Sequence, residues 1–148
     1  SAWVGYARFR TRSASGNVVD EDRYWQQLNR VSRTDAGTLT LRARLEQRVV
    51  ETGDDTGLVL RTMARFSWPL EGNLLSSAFV GVEPFFALRD TDWGSESGFA
   101  QNRVFAGLEW RLSNSLAFQT SYMHQYLWRA GAEDRSNHLA VFNFRKRF

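Results

Sequence analysis

Cysteine is absent from the 148-residue chain, so neither a disulfide framework nor a thiolate metal site is open to it. No run of eighteen apolar residues occurs, which excludes a transmembrane helix but not a barrel whose strands meet lipid only at alternate residues. Lysine is nearly absent too. Lys146 is the only one, so arginine supplies 18 of the 19 basic residues behind the formal charge of +3. Arginine suits sites where a cation is partly buried and holds several hydrogen bonds at once. A GC-rich genome also raises Arg over Lys, so position along the chain must decide. The first residues, Ser1-Ala2-Trp3, have neither the basic nor the apolar region of a signal peptide; an exported protein of this sequence is expected to be a processed or truncated form. The length fits a single domain, 1–148.

What is present is alternation. Turn-like clusters at 13–20, 33–36, 51–56, 69–73, 89–98, 113–115 and 129–136 leave eight stretches of roughly ten to fifteen residues, a spacing typical of sandwiches and barrels. Leu39, Leu41, Ala43 and Leu45 oppose Arg42, Arg44, Glu46 and Arg48, with period two. Leu58, Leu60, Ala64, Phe66 and Trp68 oppose Arg61, Met63, Arg65 and Ser67. Val104, Ala106, Leu108, Trp110 and Leu112 oppose Arg103, Phe105, Gly107, Glu109 and Arg111. Leu116, Phe118, Tyr122, His124, Tyr126 and Trp128 oppose Ala117, Gln119, Ser121 and Gln125, and Ala140, Phe142 and Phe144 oppose Asn143, Arg145 and Arg147. The first two stretches, 3–12 and 23–31, alternate less cleanly, with Gln26 and Arg30 on the nominally apolar side. The expected fold is all-β: an antiparallel up-and-down transmembrane β-barrel with eight strands in this chain.

A soluble lipocalin-type barrel turns its apolar face inward, whereas an outer-membrane barrel turns it to lipid. Four features point to the membrane. The stretches suit a tilted crossing of about 9–11 residues. Longer polar connections alternate with short ones such as 33–36 and 113–115, the outer-loop and periplasmic-turn pattern. Trp3, Trp68, Trp110 and Phe148 fall at one rim, and Tyr24, Tyr126 and Trp128 at the other, as in an aromatic girdle. The chain ends on Phe148, the kind of terminus read by the outer-membrane assembly machinery. The other face then gathers Arg8, Arg10, Arg42, Arg44, Arg48, Arg61, Arg65, Arg103, Arg111, Arg145 and Arg147 with Glu46, Glu83 and Glu109. Isolated buried charges are costly, so these are expected to pair or be hydrated. An interlocked network plugging a narrow lumen and an anion-attracting pore in a wider barrel both fit this composition.

The runs Arg42-Ala43-Arg44-Leu45-Glu46-Gln47-Arg48, Asp22-Arg23-Tyr24-Trp25-Gln26-Gln27, Glu83-Pro84-Phe85-Phe86 and Gln101-Asn102-Arg103 resemble a known family. With Tyr122-Met123-His124-Gln125-Tyr126 and Asn137-His138, they are similar to domain of unknown function 2490, from about residue 20 to the end. The resemblance implies an outer-membrane barrel and carries no established activity. It also implies a longer chain, whose extra strands, two or four, would make a barrel of ten or twelve.

Motifs of chemistry are few. There is no phosphate-binding glycine loop, HExxH or nucleophile elbow. Arginines alternating with Leu and Phe do not form the exposed patch that nucleic acid requires, so nucleic acid is not an expected partner. His124 and His138 share the apolar parity on adjacent strands, with Glu133, Asp134 and Ser136 near, as a lipid hydrolase at the outer rim would need. However, Tyr126 stands where a nucleophile two residues after His124 would be, and a hydrogen-bonded interfacial pair across the hairpin is the better explanation of both histidines. No third ligand completes a metal site and no cofactor is implied. Pro84 suggests a bulge or an interrupted ladder. Asp54, Asp55, Asp90, Asp92 and Glu96 lie in outer loops, as solvated acids or as ligands for divalent ions. The expected role is structural or interactive, with outer-membrane lipid and lipopolysaccharide as surroundings and an anion channel, ligand-binding barrel or lipid-modifying enzyme as alternatives.

Overall fold

A computed structural model describes residues 1–12, 16–72, 74–129 and 131–146. Eight strands follow in chain order: β1 Ala2–Arg12, β2 Val18–Thr34, β3 Gly37–Val50, β4 Thr56–Pro69, β5 Leu75–Ala87, β6 Gly98–Arg111, β7 Leu116–Leu127 and β8 Arg135–Lys146. Each pairs antiparallel with its chain neighbour, giving one sheet in the order β1 to β8. Among the described residues no helix is long and apolar enough to cross a membrane. Among the described residues β1 and β8 do not pair with or touch each other, so the sheet is a curled half-barrel with two open edges. The expected terminal signal at Phe148 and the position of Arg147 lie outside the described residues.

The period-two pattern is realised as two faces of opposite character. Glu46 is 1% exposed and Glu83 4%, whereas Val104 is 48% exposed and Phe142 65%. Side chains on the charged face reach across an intervening strand, Arg42 of β3 to Glu83 of β5 and Arg145 of β8 to Glu109 of β6. That face is therefore the concave one. The convex face carries Leu41, Val80, Val82, Val104 and Phe144, all exposed.

Short turns at 35–36 and 112–115 share one rim, with longer connections at 51–55 and 88–97 on the other. The alternation in length is incomplete, because the connection between Pro69 and Leu75 is as long as that between Val50 and Thr56. Pro84 interrupts its ladder as a residue without an N–H must. Pairing of β4 with β5 runs from Arg61↔Phe85 to Ala64↔Val82 with no pairs at Glu83 and Pro84 between them. On the other side of β5, a register shift between Phe85 and Phe86 leaves Ala100 of β6 as an extra residue.

β1 departs from the expected facing. Arg8 and Arg10 pair in register with Asp22 and Asp20, and both guanidinium groups bond Asp20 at 2.7 Å on the convex side. Their parity is that of Tyr6 and Val4, not of Ala7, which stands opposite Arg23. Trp3, opposite Gln27, takes the concave parity and so leaves the convex rim to Trp68 and Trp110. The reason is local compensation. Asp20 neutralises two convex arginines near the loop end, so charge ceases to mark the concave face there.

Candidate functional site: the concave arginine–glutamate face

The middle of the concave face is built by β3, β4 and β5, whose registers bring Arg44 opposite Arg61 and Arg61 opposite Phe85. Like charges on adjacent strands repel unless carboxylates stand between them. Glu46 and Glu83 do so. Arg61 donates from Nη1 to Glu46 Oε1 at 2.5 Å and from Nη2 to Glu83 Oε1 at 2.7 Å. Arg48 donates to the other Glu46 oxygen at 2.6 Å, and Arg42 donates to Glu83 at 2.6 Å. Arg44 lies 3.7 Å from Glu46 and donates from Nε to Gln27 at 2.7 Å, while Arg103 lies 3.9 Å from Glu83. A second cluster lies towards β8, where Glu109 accepts from Arg145 at 2.8 Å and from Gln119 at 2.6 Å. Charge-assisted bonds of this length are the strong kind, and here they satisfy carboxylates withdrawn from water.

Aromatic rings complete the cation environments, and these were not singled out in the sequence. Arg44 lies 4.2 Å over Trp25, and Arg61 and Arg103 share Phe85 at 4.4 and 4.8 Å. Arg65 stands 3.9 Å over Phe79 and has no carboxylate within 4 Å among the described residues. Its Nε and that of Arg42 are buried without an acceptor. Period-two parity alone places Phe79 and Phe85 beside Glu83, so the signal was there to find. Arg23 and Glu21 extend the network from β2, Arg23 bonding Glu21 at 2.7 Å and resting 4.1 Å over Phe9.

The face is layered along its length. Above the ionic middle, towards the long loops, Val50, Val59 and Ala87 are buried, and the Trp93 ring covers Gly57. A Cβ at Gly57 would fall 2.6 Å from that ring, so the close approach depends on glycine. Trp93 is anchored by its Nε1–H to the Asp55 carbonyl at 2.8 Å. Asp92 accepts from the Asp54 and Asp55 amides at 2.8 and 3.2 Å, and Asp55 accepts from the Asp92 amide at 2.9 Å. These backbone bonds hold the Asp92 carboxyl below the usual carboxylate range, and the Ser97 amide does the same for Asp90. Asp55, Asp90 and Asp92 thus have amide donors as partners.

His124 and His138 are direct cross-strand partners on the convex face, their rings 5.2 Å apart. Tyr122 Oη lies 2.6 Å from His138 Nδ1. Asp134 accepts from the Tyr126 hydroxyl and from the Arg129 amide, and Ser136 faces Tyr126. No group of three metal-ligating side chains occurs among the described residues.

Residues 1–137 match the family described as Protein of unknown function (DUF2490). The chain belongs to this family. The match starts well before residue 20, so it takes in β1 and the whole of the ionic face up to β7, and it ends within β8. An uncharacterized protein of Methylorubrum extorquens is 32% identical over 148 residues, covering 99% of this chain. The chain spans only 65% of that relative's length. No solved structure matches.

Proposed function

We propose that this DUF2490 chain forms part of the wall of an outer-membrane β-barrel in a Gram-negative bacterium, with its convex face against lipid and its concave face lining the lumen. One observation carries the reading: the convex face exposes a run of apolar side chains, whereas the concave face buries the carboxylates of Glu46 and Glu83. A water-soluble barrel has the reverse arrangement. Trp68 and Trp110 on the convex face near the short-turn rim, and Tyr126 and Trp128 near the opposite rim, support it as interfacial anchors. Outer-membrane lipid and lipopolysaccharide are then the immediate partners, and the barrel-assembly machinery the partner during insertion.

The open edges fit a wall that other strands complete. β1 begins and β8 ends at the same rim, so strands joining them must be even in number to keep every pair antiparallel. About a third of the Methylorubrum extorquens relative lies outside the matched stretch, which supports a larger barrel in the full-length protein. The test is insertion of the full-length protein into lipid vesicles, read by heat-modifiable gel mobility and protease protection. A protein that stays monodisperse in buffer without detergent would contradict the proposal.

A second reading, a small-anion conduit, draws on the excess of arginine over glutamate in the ionic middle. Conductance of the full-length protein in a planar bilayer, with selectivity reversed by Arg65→Glu, tests it. Absence of conductance ends it.

A further inference from the structure

Trp93 packs over Gly57 at the long-loop end of the concave face, and the short-turn rim lies at the other end. At that rim an open groove of about 360 Å³ is lined by the ends of five consecutive strands, β2 to β6, with Arg33, Asp35 and Arg111 exposed at its mouth. Its walls are unlike the ionic middle. Arg33 and Arg111 line it, and neither has a carboxylate within 4 Å or a side-chain hydrogen bond among the described residues. Between them lie the hydroxyl groups of Thr38, Ser67 and Ser77. Two acids also line it. Glu109 accepts from Arg145 and Gln119 on its Oε2, which leaves its Oε1 and the Asp35 carboxylate, unbonded among the described residues, as acceptors.

Two guanidinium groups without partners, in a concave wall, are donors for an oxyanion, which Arg binds with two parallel N–H bonds. A bare inorganic anion would meet the Asp35 carboxylate as a repulsion. A ligand bearing both an oxyanion and neighbouring hydroxyls would instead donate a hydroxyl proton to Asp35 and exchange hydrogen bonds with Thr38, Ser67 and Ser77. We propose that this groove binds a small anionic sugar, a sugar phosphate or sugar acid, with Arg33 and Arg111 on the oxyanion and Asp35 on a hydroxyl. The site is made by interior strands of the sheet, so it does not depend on how the β1 and β8 edges are completed or on the medium at the convex face.

The experiment is calorimetric titration of the full-length protein, folded in detergent, with glucose 6-phosphate, inorganic phosphate and glucose. Saturable binding is expected, tightest for glucose 6-phosphate. Arg33→Lys and Arg111→Lys keep the charge but lose the two-pronged bond, and each should weaken glucose 6-phosphate about tenfold, with the corresponding Ala variants weaker still. Asp35→Asn should weaken glucose 6-phosphate while strengthening phosphate, a crossing that a merely electrostatic patch would not give. No saturable binding of glucose 6-phosphate by the unaltered protein would overturn the proposal. So would affinity unchanged in the Arg33→Ala, Arg111→Ala double variant, or phosphate binding as tightly as the sugar phosphate.

Discussion

Glu46 on β3 and Glu83 on β5 are held by the same guanidinium, that of Arg61 on the strand between them. One side chain therefore ties three strands together through two carboxylates that water scarcely reaches. Removing either acid takes a carboxylate from between arginines that face one another. Glu46→Ala leaves Arg61 with Glu83 alone and Arg48 with Glu21 alone, at 3.8 Å, and breaking a buried pair in this way costs about 3–5 kcal/mol. A large fall in Tm is expected for Glu46→Ala and for Glu83→Ala. The Glu46→Gln, Arg61→Met double variant should melt nearer the parent, because it removes charge from both sides. An unshifted melt for both Ala variants would show that the network contributes nothing.

Much of this was legible beforehand, and the parts that were not have a common cause. In β3 the apolar and charged residues separate by parity from Leu39 to Arg48, so facing and strand were both readable there. In β1 both parities carry rings and apolar residues, Val4 and Tyr6 with Arg8 and Arg10 on one, Trp3, Ala7 and Phe9 on the other, so the arginines alone suggested a facing and suggested the wrong one. Facing there is set by Asp20, a residue of the next strand, which draws both arginines to the convex side. Partnerships were hidden for a similar reason. Glu83 was expected to meet an arginine, but its bonding to Arg42, 41 residues earlier, depends on registers across two ladders. The open edges left no mark on alternation at all, since a strand reads the same whether or not its outer side is paired.

The convex face offers a test that separates lipid from water. Val82 is central in β5 and exposed, so in a soluble sheet Val82→Arg would be nearly neutral. Against acyl chains an arginine near the bilayer midplane costs about 2–4 kcal/mol. The folded fraction in vesicles, followed by gel mobility against urea, should drop for Val82→Arg and stay unchanged for Val82→Leu. Equal folding of all three proteins would argue that the face never meets lipid.

Gly107 is expected to resist even a methyl group. A Cβ there would lie 2.4 Å from the Thr120 carbonyl oxygen of β7 and 2.7 Å from the Phe79 ring. The ring has some room to move, but the ladder carbonyl does not. Although alanine suits strands no worse than glycine, Gly107→Ala should destabilise by about 1–3 kcal/mol through forced displacement. Denaturant melts against a control at solvent-facing Ser115, whose hydroxyl makes no hydrogen bond among the described residues, replaced by Ala, measure it.

The loop latch gives a pH dependence whose direction follows from Asp92. Its carboxyl titrates below the ordinary carboxylate range because the Asp54 amide, and then the Asp55 amide, donate to the charged form. A group depressed on folding stabilises above its unfolded value, near about 4, and that contribution is lost as pH falls through its folded value. The latch should therefore stay closed at neutral pH and open only in acid, freeing Trp93 from Gly57. The difference in tryptophan fluorescence between the parent and Trp93→Phe isolates this ring from the other five indoles. The difference signal should be flat from neutrality down to the ordinary carboxylate range and change below it. In Asp92→Asn the change should disappear, because the amide oxygen still accepts but no longer titrates. A transition centred near neutrality would instead assign the opening to another group.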